Sequence, residues 1–315
     1  MDIPFLYCVA GFILLGVSGE ALLRGAVTTA DRLKVPPLLI GLTVIAFGTS
    51  IPELTVSLNA ARSGNPDIAV GNVVGSNIAN ILLVLGAMAV FRSFTIDAGM
   101  LNRDGRVMLG VSVLMVLMAL NGVITQWMGF GLLAILAGFT FLLYRRARQE
   151  ADVDETAASV DENLLEGSLF LALLILIAGL AGVLWGSDLM VKGAVGVAQQ
   201  AGISQAVIAL SIVAIGTSLP ELFISLFASL RGHASLAIGN IIGSNISNIL
   251  LILGVVASTG PLNVSAEIAN RDVWVMLGVA ILGLVLMRSA RRMSRIEGLF
   301  SLVLYALYVG YLYFS

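Results

Sequence analysis

Two short segments concentrate the residues capable of chemistry. Gly48-Thr49-Ser50-Ile51-Pro52-Glu53 recurs as Gly216-Thr217-Ser218-Leu219-Pro220-Glu221. Each places a carboxylate inside a long apolar stretch, where an ionisable group is costly and marks an ion pathway or relay. The hydroxyls precede the carboxylate by three and four residues, so Ser50 or Thr49 shares a helix face with Glu53, and Ser218 or Thr217 with Glu221. The proline has no N–H to donate to the carbonyl four residues back, that of Gly48 or Gly216. A kinked helix with a freed carbonyl, two hydroxyls and a carboxylate is a set of hard oxygen ligands, suited to a hard cation and not to a soft metal.

A second polar cluster follows each: Gly71-Asn72, then Gly75-Ser76-Asn77-Ile78-Ala79-Asn80, and Gly239-Asn240, then Gly243-Ser244-Asn245-Ile246-Ser247-Asn248. Ser76 and Asn80 lie one helical turn apart on one face, as do Ser244 and Asn248. The glycines allow close helix approach or a local break, and Asn72, Asn77, Asn240 and Asn245 read as residues that hold helices together. Combined, the clusters offer the carboxylates of Glu53 and Glu221, the hydroxyls of Thr49, Ser50, Thr217, Ser218, Ser76 and Ser244, and the amides of Asn80 and Asn248. Carbonyls near Ala46 and Ala214 can join them through the kink. Calcium takes about six to eight oxygens and two carboxylates balance its charge, while hydroxyls and carbonyls suit sodium. With no cation bound, two carboxylates in a low-dielectric interior repel, and one of them is expected to hold a proton.

The elements that carry these residues are membrane spans. Apolar residues make up 58% of the 315-residue chain and charged residues 11%, against about 25% charged in soluble domains. Apolar runs of about 20 residues recur from end to end and read as ten helices. They fall near residues 3–29, 36–62, 66–91, 104–122, 125–144, 168–197, 204–230, 235–259, 270–288 and 295–314. The apolar N-terminus has neither a basic region nor a small-residue cleavage site and reads as the first span. One cysteine, Cys8, excludes an intrachain disulfide, and one histidine, His233, excludes a histidine-based metal site. Cys8 is expected to be a buried small residue and His233 a solvated loop residue. Trp127, Trp185 and Trp274 read as interface or packing aromatics. Glu20 with Arg24, and Asp188 with Lys192, read as intrahelical ion pairs with a structural or gating role.

A shift of 168 residues superposes the two halves without a gap. From Gly48 to Gly86, 23 of 39 positions are identical to Gly216–Gly254, which makes the chain a duplicated five-helix unit. The expected division is 1–144 for the first repeat, 145–167 for an acidic linker and 168–315 for the second repeat. Five is odd, so the second unit enters the membrane in the opposite orientation, as in inverted-repeat transporters with a midplane site. The fold class is therefore all-α integral membrane, with ten transmembrane helices as two inverted-topology five-helix repeats. Of the 17 Lys and Arg residues, all but Arg62, Lys192 and Arg271 fall on one side. The positive-inside rule makes that side cytoplasmic, with the linker inside and both termini outside.

Two copies of G-T-S-x-P-E, each followed by G-N-x-x-G-S-N-I-x-N, closely resemble the alpha repeats of the sodium/calcium exchanger family of the calcium/cation antiporter superfamily. The resemblance covers about 18–110 and 186–278. It implies a ten-helix antiporter that exchanges sodium for calcium by alternating access, the first and sixth helices sliding against the core. It also implies a metal site at Thr49, Ser50, Glu53, Ser76 and Asn80, matched by Thr217, Ser218, Glu221, Ser244 and Asn248, with the backbone oxygens of Ala46 and Ala214. Many relatives have an aspartate in one repeat where this chain has Asn80 and Asn248. The short linker lacks the regulatory domain of animal exchangers, which resembles a prokaryotic, inner-membrane form.

The partners expected are inorganic cations and the lipid bilayer, with Ca2+ and Na+ (or H+) as cargo, no cofactor and no nucleic acid. Calcium/proton exchange is the alternative within the same class, since the glutamates can carry a counter-proton. A passive channel fits less well, because two inverted repeats close around one site where a channel rings its pore with subunits. An intramembrane enzyme is disfavoured: Ser50 or Ser218 as nucleophile has no base at hand.

Overall fold

The computed structural model describes residues 3–96, 98–151, 168–202, 214–288 and 292–314. Ten helices occupy them. In the first half they are α1 (Ile3–Leu33), α2 (Pro37–Arg62), α3 (Pro66–Phe91), α4 (98–120) and α5 (Gln126–Ala151). In the second half they are α6 (Leu169–Gln200), α7 (214–230), α8 (Ala234–Thr259), α9 (Ile268–Arg288) and α10 (Arg295–Phe314). Eight of the helices are long and apolar enough by themselves to cross a membrane.

The boundaries match the hydropathy runs with two differences. α4 begins at Ala98, not near residue 104, because Asn102, Arg103 and Asp104 are part of the helix: Arg103 and Asp104 pair at 3.1 Å and enter it neutralised. α5 runs past Tyr144 to Ala151, since Arg145–Glu150 is a run of good helix formers. The rest of the linker, 152–167, and the expected start of α7 at 204 lie outside the described residues.

Inversion is visible in the packing. α1 and α6 run antiparallel and touch backbone to backbone. A Cβ on Gly25 would lie 2.5 Å from the Leu176 nitrogen, and one on Gly193 2.5 Å from the Cys8 nitrogen. Repeats of like orientation would have set these two helices parallel. Cys8 is thus half-buried at this contact, not fully enclosed. Two short antiparallel pairings obey the same symmetry. β1 (Phe94–Thr95) pairs with β4 (Arg292–Met293), and β2 (Val123–Ile124) with β3 (Leu262–Asn263).

α3 and α8 form the centre, each 83% buried across its apolar window, against 33% for α1 and 28% for α6. The remaining helices shield these two from lipid. Trp127, Trp185 and Trp274 are exposed on the outer surface, as lipid-facing aromatics are. His233 is half-buried at the start of α8, less solvated than a free loop residue.

Candidate cation-binding site

The two proline segments break their helices at matching points. Ser50 sits at φ −78, ψ 3 and Ser218 at φ −88, ψ 4, outside helical values, and a new helix starts one residue later. Pro52 and Pro220 stand in the first turn of the new helices, where a missing N–H costs nothing. The break lets hydroxyl and carboxylate approach from two successive helical pieces instead of one continuous surface.

Of the two roles open to the glycines of the second clusters, close approach and a local break, the break is not seen. Helix geometry continues through Gly71, Gly75, Gly239 and Gly243, and the irregularity lies just beyond, as a widened π turn over Asn80–Leu85 and its mate Asn248–Leu253. Such turns re-aim side chains and recur at functional sites. The glycines of α8 serve close approach. A Cβ on Gly243 would lie 2.7 Å from both the Leu42 carbonyl and the Ala46 Cβ, so α8 rests directly on α2.

That contact brings the halves together. Thr49 Oγ1 lies 3.5 Å from Ser244 Oγ, across the repeat boundary. Glu53 faces Glu221 and the Thr217 hydroxyl, and Glu221 faces the hydroxyls of Thr49 and Ser244. Glu53 and Glu221 are each 1% exposed. Ser50, Ser76, Ser218, Asn80 and Asn248 are likewise buried. The Ala46 carbonyl accepts the Ser50 N–H at 3.1 Å and the Thr49 hydroxyl at 3.3 Å, so it is engaged within its own helix. Ala214 opens the helical turn that ends at Thr217.

Eleven buried side-chain oxygens lack a hydrogen-bond partner among the described residues, and six of them belong to the expected ligands in the two motif clusters. Ser50 Oγ, Glu53 Oε2, Asn80 Oδ1, Ser218 Oγ, Glu221 Oε2 and Asn248 Oδ1 are buried side-chain oxygens with no partner. They form three repeat-related pairs. A buried polar atom left unmatched costs about 1–3 kcal/mol, so six of them in symmetric pairs are candidate ligands for a cation. Among the described residues no group of three or more His, Cys, Asp and Glu exists that could hold a metal of another kind. Two carboxylates and neutral oxygens are the donor set of a hard, exchangeable ion.

Sequence reasoning missed the supports of this set. Asn72 Nδ2 donates to the Glu53 carbonyl at 3.2 Å and to Ser57 Oγ at 3.0 Å, and Asn240 Nδ2 donates to Ser225 Oγ at 3.0 Å. Ser57 and Ser225 are themselves repeat mates, a signal that could have found them. Asn72 and Asn240 do join helices as expected. Asn77 does so too, accepting from Asn248 of α8 at 3.1 Å, whereas Asn245 donates to Ile241 of its own helix at 2.8 Å. Glu20 pairs with Arg24 at 2.8 Å as expected, and also with Arg231 at 2.9 Å. Asp188 pairs with Lys192 at 2.6 Å.

An inverted repeat whose two central helices and two broken helices bring buried carboxylates, hydroxyls and amides together across the repeat boundary defines the class: a polytopic membrane carrier with a donor set suited to hard cations. The chain belongs to the sodium/calcium exchanger protein family, whose model matches residues 3–145 and 171–314, nearly all of both repeats. It is 31% identical over 348 residues to the sodium/calcium exchanger MaX1 of Methanosarcina acetivorans, covering 100% of this chain and 99% of that protein. It is 36% identical to the inner membrane protein YrbG of Escherichia coli, over 87% of this chain and 85% of the other. Among solved structures it resembles the sodium-calcium exchanger NCX_Mj soaked with 10 mM Na+ and 10 mM Sr2+, with TM-score 0.84, 32% identity, and coverage of 98% and 99% of the two chains.

Proposed function

We infer that the protein is a secondary active antiporter that exchanges Na+ for Ca2+ by alternating access. Family membership supports the activity, and the six unpartnered buried oxygens in three repeat-related pairs support the location. Glu53 and Glu221 supply the charge: together they balance one Ca2+ or two Na+. Thr49, Ser50, Ser76, Thr217, Ser218 and Ser244 supply hydroxyls, Asn80 and Asn248 supply amide oxygens, and Ala46 and Ala214 supply backbone oxygens. The Ala46 carbonyl keeps lone-pair capacity beside its two hydrogen bonds. A carrier whose carboxylates are neutralised crosses the low-dielectric barrier at far lower cost than one with bare charges, which couples the movement to occupancy.

The chain divides at 145–167, with the linker in the cytoplasm and both termini outside. It functions in a prokaryotic inner membrane as a transporter without enzymatic activity. Its partners are inorganic cations and the surrounding lipid.

Radiolabelled Ca2+ uptake into Na+-loaded proteoliposomes, diluted into Na+-free buffer at fixed pH, tests this. Uptake that needs the outward Na+ gradient and is lost in Glu53→Gln and Glu221→Gln is expected. Uptake driven by a pH gradient and indifferent to Na+ would replace sodium with protons as the counter-ion. Uptake that follows the Ca2+ gradient alone would refute antiport.

A further inference from the structure

Asn77 has the same place in its repeat as Asn245 but a different role. Its Oδ1 accepts from Asn248 Nδ2 at 3.1 Å, joining α3 to α8 across the repeat boundary. Its own Nδ2 donates to Met276 Sδ on α9 at 3.6 Å. All three residues are buried, at 2%, 1% and 1% exposure. Asn248 Oδ1, the other end of the amide that Asn77 holds, is one of the six unpartnered oxygens. An amide carries its donor and its acceptor at opposite ends of one rigid plane. Fixing the Asn248 nitrogen therefore fixes where its oxygen points.

We propose that Asn77 is a positioning residue for ion selectivity: by holding Asn248 Nδ2 it turns the amide oxygen, and not the N–H2, toward the transported cation. This rests on the assignment of Asn248 as a ligand. The chemistry needs a side chain that accepts from Asn248. Asparagine and aspartate both supply that acceptor and leucine does not, and the asparagine donor, tied to Met276 on α9, adds a second hold. With Asn77 gone the Asn248 amide turns freely, and for part of the time presents N–H hydrogens to a positive ion. A divalent ion suffers more from that than a monovalent one, because its attraction to ligand dipoles scales with its charge.

The test is the apparent KM for Ca2+ in Na+-driven uptake, with the maximal rate recorded separately and thermal melting as the folding control. Asn77→Ala is expected to raise the Ca2+ KM about tenfold, the size of one lost buried hydrogen bond, with a smaller change in the KM for Na+. Asn77→Asp keeps the acceptor without opening a cavity and is expected to hold the Ca2+ KM at or below the wild-type value. Asn245→Ala, in the same motif but bonded within its own helix, is expected to shift it less than about threefold. In an Asn248→Ala background, Asn77→Ala should add nothing, since there is no amide left to turn. A tenfold rise in Asn77→Asp, or a full Asn77→Ala effect that persists in Asn248→Ala, would overturn the proposal. A Ca2+ KM unchanged in Asn248→Ala would refute the ligand assignment and the proposal with it. A KM raised by Asn248→Ala but indifferent to Asn77→Ala would refute the proposal alone.

Discussion

Glu53→Gln separates the electrostatics of the site from its shape. Glutamine occupies the same volume and keeps one oxygen, so the substitution removes a charge and replaces one ligand oxygen by a donor. Glu53 is 1% exposed and its Oε2 has no protein partner. The lost charge is therefore missed chiefly by the cation. Removing one partner of a buried charge pair costs about 3–5 kcal/mol, which weakens Ca2+ binding by about 10² to 10³-fold or more. Ligand-linked stability converts this to a melting experiment. At a Ca2+ concentration about 100 times the wild-type Kd, binding stabilises the wild-type protein by about 2.7 kcal/mol. A variant with Kd raised 100-fold or more gains no more than about 0.4 kcal/mol.

At about 2–4 °C per kcal/mol, the Ca2+-induced rise in Tm falls from about 5–10 °C to roughly 1 °C. Without cations the sign reverses. Two carboxylates facing each other in a low-dielectric interior repel unless one takes up a proton, and a neutral glutamine removes that cost. In chelator and Na+-free buffer Glu53→Gln should therefore melt no lower than wild type, and up to several degrees higher. The measurement is differential scanning fluorimetry in detergent with and without Ca2+, followed by Ca2+ uptake on the same preparations. An unchanged Ca2+-induced shift in Glu53→Gln would refute the site. A variant that melts several degrees lower in chelator would show Glu53 to be a structural residue, paired to something other than a transported ion.

Gly243→Ala pushes a methyl to 2.7 Å from the Leu42 carbonyl. It is expected to lower stability by about 1–3 kcal/mol and to abolish uptake, while Gly110→Ala, with nothing within 4 Å, is neutral or stabilising by up to about 1 kcal/mol; melting curves and uptake rates of the two distinguish close approach from mere helix content. Asn72→Ala strips the Glu53 carbonyl and Ser57 of their donor and should destabilise by about 1–3 kcal/mol, read as a Tm several degrees lower with or without Ca2+. Glu20→Gln breaks the bridge from α1 to Arg231, whose side chains are 22% and 50% exposed, so its cost to stability is at most about 1 kcal/mol. If the bridge restrains α1, the uptake rate changes while Tm barely moves, and the charge-swapped pair Glu20→Arg with Arg231→Glu restores it; failure of the swap would leave no gating role for this pair.

The repeat made most of the architecture legible. Twenty-three identities in 39 positions fix the pairing of α2 with α7 and α3 with α8, and proline with glutamate fixes which turn carries the carboxylate. The same symmetry hid the rest, because it assigns repeat mates one role, while any single conformation of an inverted repeat treats them differently. Asn77 and Asn245 are identical in type and context, yet one crosses to α8 and the other turns back to Ile241. Only the relative placement of two helices 171 residues apart in sequence decides that. The π turns at Asn80 and Asn248 were also invisible, since an extra residue in a turn arises from packing and leaves no residue-type signature. At the helix ends the symmetry is broken in the sequence itself. Arg231 holds Glu20, but its repeat mate is Ser63, which has no charge to offer Asp188. Among the described residues, the ion pair that ties α1 to the core thus has no counterpart at Asp188. The two repeats are thereby tethered unequally, α1 to the core through Arg231 and Asp188 of α6 within its own helix through Lys192.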